Sequence, residues 1–289
     1  MKIIATAFAI AALLPLAGAA ATTQDAIIAD PPIDAAHPAA MVYVRIPSQG
    51  ALLNGVIYTA AGGGAHPTVL LLHGFPGNEQ NLDLAQAMRR AGFNVLTFHF
   101  RGSWGSPGAF TFSHAAEDAD AAVSFLRDPA IAAKFGIDPA HILVAGHSMG
   151  GFLAASAAAH DLRVAGLVMI SAWDMVGAAK GVTDPRLRAD LADDVIPLGG
   201  ATVDGLLQEI AADPPRWDYR SFAAALASRP VLLITADDGS EPGSKALEER
   251  LHAAGDHDVT EIHMTTDHPY SDHRIALESA TIKWLLKRR

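Results

Sequence analysis

The chain has no cysteine among its 289 residues. That removes disulfides, thiolate metal ligands and cysteine nucleophiles together, so a nucleophile must act through oxygen or nitrogen. Positive charge is scarce as well: 21 Lys and Arg stand against 31 Asp and Glu, and no basic block precedes the terminal "KRR". An acidic chain without a basic patch carries no electrostatic footprint for nucleic acid. Neither a G-x-G-x-x-G turn nor a P-loop occurs, so no nucleotide cofactor is expected, and no cofactor of any other kind is implied. Half of the residues are apolar, which is ample for a sizeable core.

Long apolar runs are missing except at the start, "MKIIATAFAIAALLPLAGAAATTQDA". Lys2, an Ala-rich apolar stretch and small residues in A-x-A form predict a secretory signal peptide over residues 1–21, cleaved between Ala19 and Thr22. The competing reading is a membrane anchor. The run falls short of about 20 strongly apolar residues and lacks a basic flank on its far side. Export to the periplasm or medium is therefore expected, with no membrane attachment of the mature form; oligomeric state is left open.

Residues 22–40 carry paired prolines and no sustained period, which predicts an extended lead-in over the surface. "MVYVRIPS" and "LLNGVIYTA" alternate as an opening hairpin would. "HPTVLLLHG" and "FNVLTFHFRG" are short continuous apolar runs of buried parallel-strand type. Between them "NEQNLDLAQAMRRAG" has helical period, which makes a βαβ unit. Strand and helix patterns keep alternating to the closing helix "RIALESATIKWLLKR". The expected fold is α/β, a mostly parallel central sheet with helices on both faces. Residues 22–289 read as one domain, interrupted at about 174–226 by three short helical patterns with no convincing strand. That insertion is expected to cover the sheet's active edge as a small cap, since about 50 residues seldom form a core of their own.

In "ILVAGHSMGGFLAASAAA", residues 142–159, a strand pattern stops at Gly146 and a helix-favouring stretch resumes past Ser148. The chain must turn within about two residues, which pushes the serine outward. Chemistry in a doubly wound sheet collects at the carboxyl ends of strands. Four such ends carry reactive or glycine-rich residues: "HGFPGN" from His73, Ser148, Asp237 with Asp238, and "TTDHPYSDH" with His268 and His273.

With "GHSMG" at a strand-turn-helix, "HGFPG" upstream and the order Ser, Asp, His, the sequence resembles the α/β-hydrolase fold family over nearly all of its mature length. "HGFPGNEQNLDLAQAMRRAGFNVLTFHFRGSWGSPG" and "TDHPYSDHRIALESATIKWL" are similar to serine hydrolases related to prolyl oligopeptidases and dienelactone hydrolases. The resemblance implies hydrolysis of an ester, thioester or amide through an acyl-enzyme. A serine hydroxyl needs a base that works near neutral pH, for which histidine is suited. On this reading Ser148 is the nucleophile, His268 the base and Asp238 the acid that orients it. The backbone N–H groups of Phe75 and Met149 would meet the oxyanion.

Alternatives stand beside each role. His273 is a rival base, although its place at the start of the closing helix suits capping or solvation. Asp237 competes with Asp238. "DHPYSDH" could be read as a metal site, but it has neither helical His spacing nor a third ligand motif, so no metal is expected. His73, His147, Trp104 and Trp173 are candidate substrate-lining residues, and Trp217 a further aromatic; the plain reading of such residues is packing. Arg101 after a strand suits an ion pair with Asp118 better than a substrate contact. For function, an ester-cleaving serine hydrolase acting on a small-molecule or peptide acyl substrate leads. An exported peptidase or acylaminoacyl hydrolase is the nearest alternative, and a catalytically silent binding module the more distant one.

Overall fold

The computed structural model describes residues 22–180 and 185–289. The expected signal peptide over 1–21 lies outside the described residues. Eight strands among those described form one sheet: β1 (Ala40–Ser48), β2 (Ala51–Thr59), β3 (His66–Leu72), β4 (Asn94–Phe98), β5 (Ile137–His147), β6 (Gly166–Ile170), β7 (Val231–Ala236) and β8 (Val259–Met264). Their spatial order is β1-β2-β4-β3-β5-β6-β7-β8. The β1-β2 and β2-β4 pairs are antiparallel and every later pair is parallel. The order reverses at β3, whose neighbours are β4 and β5, and this opens the crevice where such sheets place their chemistry.

Period two divides the core. Leu70, Leu72, Val144, Leu167, Met169 and Leu233 face the helices Phe112–Arg127, Met149–His160 and Glu241–Ala253. Val69, Leu71, Leu143, Ala145, Val168 and Ile234 face the helices Leu82–Arg90 and Arg274–Leu285. Because both faces are covered, β4, β6 and β7 are buried at every residue. This explains why their sequences are continuous apolar runs and do not alternate.

The lead-in departs from expectation. Residues Thr23–Ile28 form a helix whose N-cap Thr22 and third residue Asp25 make a reciprocal capping box. Ala26 is buried and its carbonyl accepts from Arg90 Nε. A cap and one small buried residue hold a turn and a half that no apolar period announces.

Residues 174–226 are helical as expected and contain more helix than the three patterns, with Met175–Lys180 and the 3₁₀ turn Pro214–Trp217 added. Leu206, Ile210, Trp217, Tyr219 and Leu226 pack into the same core as Phe112 and Phe152. The Glu209 carboxylate accepts from Phe112 N (2.9 Å) and Ser113 N (2.6 Å), capping the first turn of a main-body helix. Phe110 N donates to Gly199 O at 2.8 Å. The cap is thus fastened to the sheet domain through backbone, charge and core at once. No helix among the described residues is long and apolar enough to cross a membrane.

Candidate active site

Ser148 sits between β5 and the helix Met149–His160 with φ +57° and ψ −122°. A non-glycine residue held there is strained, and the surroundings over-determine it. Its N–H donates to Ile170 O on β6 (2.9 Å), and its carbonyl accepts from Gly151 N (2.9 Å) and Trp173 N (3.0 Å). The flanking glycines are required by contact: a Cβ on Gly146 would lie 2.0 Å from Gly150 O, and one on Gly150 would lie 2.1 Å from Leu72 O. Strand, turn and helix are therefore pressed together, and the partly exposed serine is the residue that projects.

The loop after β3 lies on this turn. A Cβ on Gly74 would meet Ser148 Cβ at 3.0 Å and His147 O at 3.3 Å, which puts the adjoining Phe75 beside the serine. Met149 opens the helix that follows, where backbone N–H groups have no intrahelical acceptor. The backbones of Phe75 and Met149 thus flank the serine on two sides.

From the other side, His268 Nδ1 is bonded to Asp238 Oδ2 at 2.6 Å. Asp238 follows β7 and its side chain is 6 % exposed; its second oxygen accepts from Ser240 N at 2.9 Å. Burial by itself would raise its carboxyl pKa, but hydrogen bonds from His268, Ser171 and Ser240 outweigh burial and hold it well below the usual carboxylate range. Asp238 is consequently an anion at neutral pH. Ser171 in turn is bonded to Tyr270 Oη at 2.9 Å, so two loops steady the carboxylate.

The histidine loop is tied down at two consecutive carbonyls. His147 Nε2 donates to His268 O (2.9 Å), and Arg274 Nη1 donates to Pro269 O (3.0 Å). Arg274 also grips Asp83 and Asn81 at the start of the helix Leu82–Arg90. The rings of His147 and His268 lie 4.6 Å apart. No direct hydrogen bond joins Ser148 Oγ to His268 among the described residues. Such bonds are often long in a ligand-free site and tighten on substrate binding.

The remaining candidates separate clearly. Asp237 turns away from His268 and pairs with His263 Nε2 at 3.0 Å. His273 is bonded to its neighbour Asp272 at 2.8 Å and occupies the N-cap position of the closing helix without a side-chain capping bond. In the "DHPYSDH" stretch Asp272 also accepts from Thr266, and Asp267 accepts from Ser271 N. His73 and His147 back the site and do not line it. Both are buried, and burial, the largest cause, pushes each ring's pKa down to about 4. Trp104 also departs from a lining role: it is 41 % exposed and its Nε1 donates to Pro76 O at 2.8 Å, bracing the loop that carries Phe75. Trp217 is buried against Phe112 and Phe152. Arg101 Nε donates to the fully buried Asp118 at 2.7 Å, a structural ion pair.

Trp173 does line a pocket. Together with Ser171, Ala172, Asp174, Gly177, Asp238, Gly239, Ser240 and His268 it bounds a pocket of about 250 Å³ beside the histidine. Ser171 and Asp174 escaped the sequence reading although both lie just beyond the carboxyl end of β6. The strand-end rule applied to "LVMISAWD" would have found them.

A family model for the alpha/beta hydrolase fold matches residues 67–227. The match spans more than half of the chain, and the chain belongs to that family. An uncharacterized protein of Mycobacterium tuberculosis is 29 % identical over 194 residues, 58 % of this chain and 66 % of that protein. The chain thus spans slightly under two thirds of the length of the curated relatives it matches. Among solved structures, an esterase of Pyrobaculum calidifontis superposes with a TM-score of 0.64 at 22 % identity, covering 88 % of this chain and 87 % of that one. An acylaminoacyl peptidase of Pyrococcus horikoshii gives 0.62 at 16 % identity over 86 % and 42 %. Similarity at these identities establishes the fold, on which many chemistries are carried.

Proposed function

We propose that the protein is a serine hydrolase that cleaves a carboxylic ester through an acyl-enzyme. The observation that carries this reading is Ser148, held at φ +57° on a strand-to-helix turn, together with His268, whose ring lies 4.6 Å from that of the adjoining His147 and whose Nδ1 is bonded to a buried aspartate. Ser148 Oγ attacks the substrate carbonyl carbon while His268 Nε2 takes its proton. The N–H groups of Met149 and Phe75 stabilise the tetrahedral oxyanion. Collapse expels the alcohol, which takes the proton from His268, and water then repeats the sequence to release the acid. Asp238 keeps the imidazole in the tautomer that leaves Nε2 free and stabilises the imidazolium as it forms.

A pocket of about 250 Å³ beside His268 lies below the common range for drug-sized ligands. It suits a small acyl or alcohol group better than an extended peptide, so ester cleavage is preferred over peptidase action. The fold carries both an esterase and an acylaminoacyl peptidase, so the preference rests on the pocket. The test is turnover of p-nitrophenyl esters of graded chain length by the chain and by Ser148→Ala. The variant should fold and lose nearly all kcat, retaining only the roughly 10³ to 10⁴-fold over water that binding and the oxyanion donors supply. Wild-type kcat in the folded variant would reject the proposal. Export is proposed from residues 1–21 alone; N-terminal sequencing of secreted protein should begin between Ala20 and Thr22, and a mature chain starting at Met1 would overturn it.

A further inference from the structure

The pocket beside His268 has an uneven charge. Two carboxylates, Asp174 and Asp238, line it, and neither lysine nor arginine does. Asp238 is matched by His268 at 2.6 Å. Asp174 is less well matched: its Oδ1 accepts from Gly177 N at 3.0 Å and lies 3.3 Å from Arg220 Nη2. Arg220 is held more closely by Asp218, at 2.6 Å, so one guanidinium serves two acids. The Asp174 side chain keeps 32 % of its surface open. Trp173, the neighbouring residue on the pocket wall, adds an aromatic ring.

The cap strengthens this field. Residues 174–226 contain nine Asp and Glu against five Lys and Arg, a net charge of −4 over the segment that borders the pocket. A cleft lined by one sign of charge concentrates ligands of the opposite sign. An aromatic ring beside a carboxylate is a chemistry that attracts alkylammonium groups, which lose little hydration on entering.

We propose that the pocket selects substrates carrying an alkylammonium group, with Asp174 and Trp173 as its recognition residues. The proposal rests on the hydrolase reading of Ser148 and His268 for its substrate class, and it adds the charge of the group bound next to the scissile bond. A neutral group of the same shape fills the same volume but leaves Asp174 facing a desolvated apolar surface.

Acetylcholine and 3,3-dimethylbutyl acetate are a cationic ester and its neutral isostere, so their ratio isolates charge. The unaltered chain should hydrolyse the cationic ester with kcat/KM at least about tenfold higher, equivalent to about 1.4 kcal/mol. Asp174→Asn should bring the ratio to within about twofold of one. Equal kcat/KM for the two esters in the unaltered chain, or a preference that survives Asp174→Asn, overturns the inference and leaves the hydrolase reading standing. Calorimetric titration of Ser148→Ala with the same two esters separates binding from chemistry. If neither ester turns over in the unaltered chain, at least about tenfold tighter binding of acetylcholine still supports the cation site while the hydrolase reading fails, and equal binding overturns the cation site as well.

Discussion

Asp237 and Asp238 are consecutive residues, each bonded to a histidine, yet they build different things. The Asp237 side chain is 55 % exposed and meets His263 Nε2, while His263 Nδ1 is taken by Thr235 Oγ1 at 3.0 Å. Both nitrogens of that ring are occupied, and Thr235 lies fully buried within β7. A Thr-His-Asp chain is present in composition, but no substrate can reach its hydroxyl and no free nitrogen can carry a proton. At the second pair Asp238 is buried, takes only Nδ1 of His268, and leaves Nε2 uncommitted on a partly exposed ring. The contrast teaches that a triad is recognised by which nitrogen stays free and by where the hydroxyl projects, never by residue types alone.

Breaking the buried pair should have the largest effect. Asp238→Asn preserves shape but favours the wrong tautomer, and a loss of about 10⁴ in kcat is expected. Steady-state kinetics on a p-nitrophenyl ester would measure it, and activity within tenfold of wild type would place the third member elsewhere.

The next effect comes from the histidines buried behind the site. His73 and His147 titrate near 4 in the native chain, against an ordinary 6.5. Above pH 6.5 both states hold these rings neutral. As pH falls from 6.5 toward 4 the unfolded chain takes up two protons that the native chain refuses, so stability declines; below about 4 this contribution levels off. Between pH 7 and pH 5 each ring should remove roughly 2 kcal/mol of unfolding free energy. Urea melts at the two pH values would read this, and His147→Phe should flatten the slope. Identical stability at both would contradict the burial argument.

A smaller effect is expected from the tether on the base loop. His147→Phe keeps the ring volume but removes the donor to His268 O, and should lower kcat about tenfold with little change in KM. His147→Gln, which can still donate, should recover most of it. Smallest of all is Asp237→Asn, expected within about threefold of wild type in kcat, because its histidine lies on the exposed edge strand. A larger fall there than for Asp238→Asn would reverse the comparison.

The sheet was legible because buried parallel strands write themselves as short apolar runs, and because the helices between them carry period 3.6. The tight turn at Ser148 was legible because Gly146 and Gly150 stand where backbone meets backbone. The choice between Asp237 and Asp238 was argued from alternation and strand-end placement; the partner each one meets depends on β8 and its loop, some 30 residues away. The lead-in helix was invisible since one capping box and a single buried alanine hold it. His73 and His147 looked like lining residues because residue type says nothing of burial, and Trp104 because it says nothing of the carbonyl the indole meets. Asp174 was missed although it lies just past the carboxyl end of β6, where the strand-end rule applies.

Reaction of the intact chain with a fluorophosphonate probe, followed by peptide mass spectrometry, tests the central claim most directly. The probe needs an activated serine with an oxyanion site, which the proposed mechanism assigns to Ser148 and not to Thr235. The account predicts one adduct, on Ser148, and labelling greatly slowed in Asp238→Asn. An unlabelled chain, or an adduct on any other residue, would contradict it.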